Sequence, residues 1–437
     1  MSRIPAITYL YEHGGCNDSD RELIRRLDIP FCETGYECAP KYLGIHPTTL
    51  CAGYYIGAEW LTDDHAVVVM PKIRDLDFVE MFVSALRFES SAKYFDKFYD
   101  IDFNAQPIRT NAFNNQITPL LIIHFIAILK RITKRGLKKA YVMKCENLQS
   151  KVKGKIHISR HIKQNIIPRR EERIYCKYQD YTVDNPENRV LKKALTFSES
   201  YLSSLAAHKS YATLTSVINN VKSHFHEVAD TFDTRELKSI VKNDLYKDYS
   251  EALRIAKMIL RKFSYSISET RHDIDFTPPF WIDMSRLYEV YVYSKLYERF
   301  GDAIKFQVPG HHRTAVDFVD TANKVIIDTK YKPRYNDGNC GIIDDIRQIS
   351  AYARDRKILK VLGCDSSTTV DCLIIYPEKV IEPTDATDPE TEAAQDSCPQ
   401  LSSFTHIGSL LQHATPINGY ERFYKLSFRM PYIRPQS

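Results

Sequence analysis

Two short β-branched, apolar runs stand on either side of the polar turn Asp-Thr-Ala-Asn-Lys, at residues 316–319 and 325–331, and they constrain the chain more than any other feature. Their spacing predicts a strand, turn and strand hairpin. Alternation along the second strand puts Ile326, Asp328 and Lys330 on one face and Val325, Ile327 and Thr329 on the other. Asp328 is therefore a charge set in an apolar strand, which needs a compensating reason. Asp317 lies on the first strand, and pairing across the turn can bring it beside Asp328. Two carboxylates so placed repel each other unless a hard cation lies between them.

Such a cation is Mg2+, which one or two carboxylates hold together with waters and phosphate oxygens. The carbonyl of Thr329 is placed to add a ligand, and Lys330 would stand beside a metal-bound water and a phosphate. On these residues alone the stretch outlines a phosphodiester-cleaving site. An Asp-x-Lys triplet by itself is more often a surface ion pair; the apolar run around Asp328 and the next helix favour a site. That helix is expected over residues 341–353, with Asp344 and Asp345 in its first turn and Gln348 and Tyr352 on one face.

The pattern resembles the PD-(D/E)xK nuclease superfamily. Asp317 matches its first acid, Asp328-Thr-Lys330 its second acid and lysine, and Gln348-Ile-Ser-Ala-Tyr352 the Q-x-x-x-Y helix motif of the RecB-like branch. Val316 stands where the motif has proline. Glu289, in Asp283-Met-Ser-Arg-Leu-Tyr-Glu289, matches an acid often found on the superfamily's first core helix. The resemblance implies an α/β restriction-endonuclease-like domain with a mixed central sheet. It also implies double-stranded DNA as substrate and one or two metals, Mg2+ or Mn2+, held by Asp317, Asp328, Glu289 and Thr329. Gln348 and Tyr352 would orient the phosphate or the lysine.

A length of 437 residues predicts two or three domains. Residues 1–180 read as a mixed α/β domain, with a loop at 32–43, strands at 51–57 and 65–70 and a helix at 77–86. A second helix is expected to open at Thr118 as N-cap, with Pro119 in its first position, and to stop at Gly136. A pair of short strands is expected around Gly154, then a strand at 174–181. Asn185 and Pro186 begin an all-helical connector over residues 181–265. Residues 266–437 form the last domain, with strand-like runs at 360–363, 372–376 and 421–428 and an acidic, flexible loop at 378–400.

In this order the segments resemble the McrC family, the nuclease subunit of McrBC-type methylcytosine restriction systems. The shared features are V-x-M-P-K-I at Val68 to Ile73, G-K-I at Gly154 to Ile156, D-N-P-E-N-R-x-L-K-x-A-L at Asp184 to Leu195, and D-M-x-R-L-Y-E at Asp283 to Glu289. The likeness spans most of residues 50–376. It implies that the N-terminal domain binds and stimulates an AAA+ GTPase ring like McrB, which reads the modified site. The chain has no G-x-x-x-x-G-K-[ST] loop, so nucleotide hydrolysis would come from that partner.

No run reaches the roughly 18 apolar residues of a membrane helix, and the first residues lack a signal-peptide pattern; a cytoplasmic protein is expected. Ten cysteines without a C-x-x-C pair read as free thiols rather than zinc ligands. The net charge of +5 is mild, but basic residues cluster from Lys130 to Arg173. They could contact phosphates or form a solvated helix face. Two other functions fit the same residues: a non-catalytic activator of a motor NTPase with a scaffold-only nuclease fold, or a stand-alone repair nuclease.

Overall fold

The computed structural model describes residues 6–27, 29, 42–86, 98–102, 105–110, 114–204, 209–231, 247–268, 276–312, 314–332, 342–378 and 411–432. Backbone contacts divide the chain into two compact units, Met1–Ile117 with Asp273–Ser437, and Thr118–His272.

The first unit opens with β1 (Ala6–Tyr11), β2 (Tyr55–Trp60) and β3 (His65–Met70). Strand β3 pairs in parallel with β1 and antiparallel with β2. Its Ala-Val-Val-Val run is buried throughout, as an interior strand covered on both faces must be. The strand expected at 51–57 lies later, at β2; Cys51 makes only a single bridge to Gly15. The helix Phe78–Leu86, β4 (Tyr99–Ile101) and β5 (Ile108–Arg109) follow.

In the second unit the helix Asn114–Arg135 starts before the expected Thr118, so Pro119 lies inside it. Proline forfeits one ladder bond near the helix start, and the buried run from Leu120 to Leu129 offsets that loss. Next come β6 (Ala140–Gln149), β7 (Lys155–Ile156) and β8 (Arg173–Thr182). Strand β6 pairs along its whole length with β8 rather than with the segment after Gly154. That segment keeps only the two residues of β7, which also pair with β8, before turning helical at Ile158–His161. Gly154 makes the turn at φ +70°, where a Cβ would meet Tyr178 at 2.5 Å. The helices Pro186–Ser204, Lys209–Ser223 and Lys247–Ser268 match the expected helical stretch. Asn185 caps the first of them by accepting the Asn188 N–H at 3.0 Å. Part of the basic cluster is spent inside this unit, on Asp248 by Arg131 and Arg135 and on Glu187 by Lys138.

The chain returns to the first unit with β9 (Phe276–Thr277), which pairs with β5, and β10 (Phe280–Asp283), inserted between β2 and β4. A strand from beyond the helical stretch thus completes the N-terminal sheet, and the contact-defined units differ from the divisions expected at residues 180 and 265. Asp283 caps the helix Met284–Phe300. A six-stranded sheet follows, built from β11 (Ile304–Pro309), β12 (Ala315–Asp320), β13 (Val325–Thr329), β14 (Asp371–Pro377), β15 (Thr415–Pro416) and β16 (Phe423–Phe428). Its order is β11-β12-β13-β14-β16-β15, antiparallel from β11 to β13 and parallel from β13 to β16. It is the expected mixed sheet.

Tyr293 of the helix stacks on Phe306 at 4.5 Å and on Phe318 at 5.9 Å. Val319 and Ile326 join Ile342, Ile346, Ile349, Ile358 and Leu359 in a separate cluster with the two following helices. One of these, Arg356–Val361, takes the first half of the run read as a strand at 360–363, and the rest is turn; Asp355 caps the helix through the Lys357 N–H. The loop expected at 32–43 lies almost wholly outside the described residues, and so does the acidic stretch beyond Glu378. Among the described residues no helix is long and apolar enough to cross a membrane.

Gly57 shows how closely β2 and β10 approach: it has φ +149°, and a Cβ there would lie 2.0 Å from the Phe280 carbonyl oxygen. Gly57→Ala should therefore lower stability by about 2–3 kcal/mol, the scale of an overpacked core. Urea unfolding checks this, and an unchanged midpoint would contradict the close pairing.

Candidate active site

The hairpin forms with Phe318 opposite Ile327 and Val319 opposite Ile326, a register that carries Asp317 towards Asp328. The ladder opens there because Asp317 replaces a backbone acceptor: its Oδ2 accepts the Thr329 N–H at 2.8 Å and the Thr329 hydroxyl at 2.7 Å. Asp328 is 1% exposed, on a strand paired on both sides. Lys330 Nζ lies 2.6 Å from its Oδ2, in an ion pair without hydrogen-bond geometry. The same Nζ donates to Gln348 Oε1 at 3.0 Å, and Gln348 Nε2 donates to the Tyr352 hydroxyl at 3.0 Å. The four-residue spacing on the helix Ile342–Tyr352 makes that last contact local.

Glu289, on the helix Met284–Phe300, is within range of both acids, whose charges bear on it. Its carboxylate accepts a hydrogen bond from Gln307 Nε2. Gln307 has φ +50° in the middle of β11, an unusual conformation for a residue with a side chain.

Electrostatics follow from this crowding. Burial, then the charge of Asp317, holds the Glu289 carboxyl well above the usual range, against the pull of Gln307. Burial raises Asp317 as well, although Thr329 and Lys330 oppose it. Asp328 is pushed up to about 7 by burial and by Asp317, against the attraction of Lys330. For Lys330, burial alone would lower the ammonium, but Asp328, Asp317 and Asp345 together outweigh it and raise it. Asp317 and Asp328 thus share the Lys330 ammonium, Glu289 adds a third carboxyl that their charges reach, and hard oxygens of this kind suit a divalent ion. Among the described residues no three His, Cys, Asp or Glu side chains are disposed to hold a metal as they stand. Thr329, Lys330 and Gln307 engage the carboxylates instead.

Asp317, Asp328, Thr329, Lys330, Gln348 and Tyr352 are drawn together by these contacts, with Gln348 at the exposed rim and Tyr352 buried. Glu289 joins them through charge, while Asp344 is exposed and pairs with Arg347. Three further residues were missed. Lys332 Nζ lies 2.9 Å from both carboxylate oxygens of Asp345, and Asp345 approaches Lys330 to 4.0 Å. Lys332 was visible as the next same-parity lysine after Lys330, and Asp345 as the acid one turn before Gln348. Gln307 carried no local signal, because its position depends on the β11 backbone.

The chain matches the family described as McrBC 5-methylcytosine restriction system component over residues 50–361, more than half its length. No curated protein matches it. Among solved structures, it is similar to a chain of the refined half-complex from a tetradecameric assembly of Thermococcus gammatolerans McrB AAA+ hexamers with bound McrC. That similarity covers 98% of this chain and 95% of the other at 14% identity, with a TM-score of 0.37. A second, the cryo-EM structure of the Thermococcus gammatolerans McrBC complex, covers 67% of this chain and 88% of the other at 15% identity, with a TM-score of 0.29.

A carboxyl whose folded pKa is raised stabilises the fold below its unfolded pKa and loses that contribution as pH climbs through the folded value. For Asp328 that window runs from the ordinary aspartate value of 3.8 to about 7. In chelator, wild-type stability should fall across this window, while Asp328→Asn should remove much of the slope and be the more stable protein at pH 8. Unfolding midpoints from pH 4 to 8 check this; parallel curves for the two proteins would contradict the crowding.

Proposed function

Because the chain belongs to the McrBC family of 5-methylcytosine restriction system components, we propose that it is the system's Mg2+-dependent DNA endonuclease subunit, driven by a partner AAA+ GTPase of the McrB kind. The observation that carries the reading is the meeting of Asp317 and Asp328 beside Lys330, at the end of the hairpin of a mixed sheet, with Glu289 feeling the charge of both acids. That arrangement is the one expected of a PD-(D/E)xK nuclease. Asp317, Asp328 and Glu289 would hold the metal, with the Thr329 carbonyl as a further ligand. Bound Mg2+, or Mn2+ in its place, would supply an acidified water and charge neutralisation at the phosphate.

The chain's own residues do the rest. Lys330 places its ammonium next to the scissile phosphate and offsets charge developing on the phosphorane oxygens. Gln348 holds Lys330 from the helix side, and Tyr352 holds Gln348. The Lys332–Asp345 pair ties that helix to the end of β13, which keeps the Gln348 amide within reach of Lys330.

For the partner, the second unit has a surface of the right kind. Around β6, β7 and β8, Tyr141, Ile158 and Ile167 are about 70% exposed, and Val152, Ile166 and Tyr181 are exposed beside them. Apolar side chains grouped this way mark an interaction surface. Lys151, Lys155, Lys163, Arg169 and Arg170, on β7 and the segments between β6 and β8, are also exposed. This arm is where we place the contact with the GTPase ring.

Lys330→Ala and Asp328→Ala, each assayed with the co-expressed GTPase and Mg2+, should reduce DNA cleavage by about 10²-fold or more with an unchanged circular-dichroism spectrum. Either variant cutting at the native rate would remove these residues from catalysis. GTPase stimulation without any cleavage by the wild type would favour a scaffold-only nuclease fold. For the arm, Ile158→Glu with Ile167→Glu should abolish co-purification with the GTPase, and retained binding would place the contact elsewhere.

A further inference from the structure

The V-x-M-P-K-I motif is unexplained by the nuclease chemistry, yet its lysine ends one residue from the site. Glu12 follows β1 and Lys72 follows the parallel β3, and the Glu12 N–H donates to the Met70 carbonyl at 2.9 Å, so the two strands deliver both side chains to one end of their sheet. Lys72 Nζ donates to Glu12 Oε1 at 3.1 Å and to the backbone carbonyl of Tyr331 at 2.8 Å. It also sits over the Tyr331 ring, 3.8 Å from its centroid, in cation–π geometry. Glu12 and Tyr331 are each 2% exposed.

Tyr331 lies between Lys330 and Lys332, the two lysines whose amines enter the site. Its ring packs 5.5 Å from that of Tyr288, which neighbours Glu289 and is fully buried. The backbone on the other side is also tied, by the Lys330 N–H donating to the Ile375 carbonyl at 2.8 Å. Lys72 therefore grips the chain one residue beyond the last bond to β14, at the end of β13 and between the two residues carrying the amines. A buried ion pair is weak as a stabiliser, because desolvation offsets its attraction. Setting the position of a neighbouring group is a use that does not depend on net stability.

We propose that Lys72, held by Glu12, is a positioning residue that sets the Lys330 ammonium through the Tyr331 carbonyl. The inference rests on the nuclease reading for its catalytic consequence, but the placement of Lys330 is a property of the fold and is measurable without DNA. Lys72→Met removes the grip but leaves Glu12 buried without its partner. The double variant Glu12→Gln/Lys72→Met removes both charges at similar volume and is expected to stay folded. Lys72→Arg keeps a donor for the carbonyl.

Acetylation of Lys330 by acetic anhydride at fixed pH, followed by peptide mass spectrometry on the metal-free full-length protein, reads the placement directly. The double variant should acetylate Lys330 faster than wild type, as its ammonium leaves Asp328, and Lys72→Arg should restore most of the protection. In the complex with the GTPase, the double variant should lose about 10²-fold in kcat, the scale of a small misplacement, with KM for DNA unchanged. Wild-type acetylation together with wild-type kcat in the double variant would overturn the proposal. If the wild type cuts no DNA, the nuclease reading fails, and the acetylation comparison alone decides whether Lys72 places Lys330.

Discussion

Repulsion among carboxylates governs this site. The pairing of β12 with β13 brings Asp317 and Asp328 together, and β14 on the far side of β13 leaves Asp328 no room to retreat. Sheet hydrogen bonds hold the backbone in place, so the conflict is met by side chains. The Lys330 ammonium stands against Asp328, the Thr329 N–H and hydroxyl serve Asp317, and Gln307 serves Glu289. The raised carboxyls record how incompletely this is done. An arrangement that leaves buried acids partly uncompensated is poor for stability and well suited to a ligand of opposite charge.

The rest of the first unit can be understood as support for that conflict. The helix Ile342–Tyr352 contributes an acid and an amide to the two lysines, and its isoleucines seat it on the sheet. The helix Met284–Phe300 brings Glu289 from elsewhere, anchored by Tyr293 on Phe306 and Phe318. Gln307 accepts an unusual backbone conformation and reaches Glu289 from there. The N-terminal sheet adds the Lys72 contact to Tyr331, which makes it part of the same construction.

Much of the candidate site was legible because its core is local. Asp317, Asp328 and Lys330 fall within fourteen consecutive residues whose alternation and turn specify a hairpin, and Gln348 and Tyr352 obey helix spacing. Glu289 came from family resemblance, since nothing in its own helix distinguishes it. Lys332, Asp345 and Gln307 went unassigned because their roles depend on which element packs beside which. Local errors have local physics behind them. Residues 360–363 read as a strand by composition, but the helix that Asp355 caps runs to Val361 and a turn follows. The segment after Gly154 read as the strand partner of β6, but it keeps only the two residues of β7, and β6 and β7 both pair with β8.

By itself, the amino-acid sequence determined what short-range periodicity can encode: the hairpin, the helices, the buried β3 run and the face on which Asp328 and Lys330 lie. It also carried the family, through the order of weak motifs over most of residues 50–376. Only the tertiary structure decided that β10 completes a sheet begun more than two hundred residues earlier and that Lys72 closes on the Tyr331 carbonyl. It alone showed that the acids are raised rather than relaxed. The reason is that alternation and helix spacing act over a few residues, whereas burial and Coulomb interaction depend on distance in space.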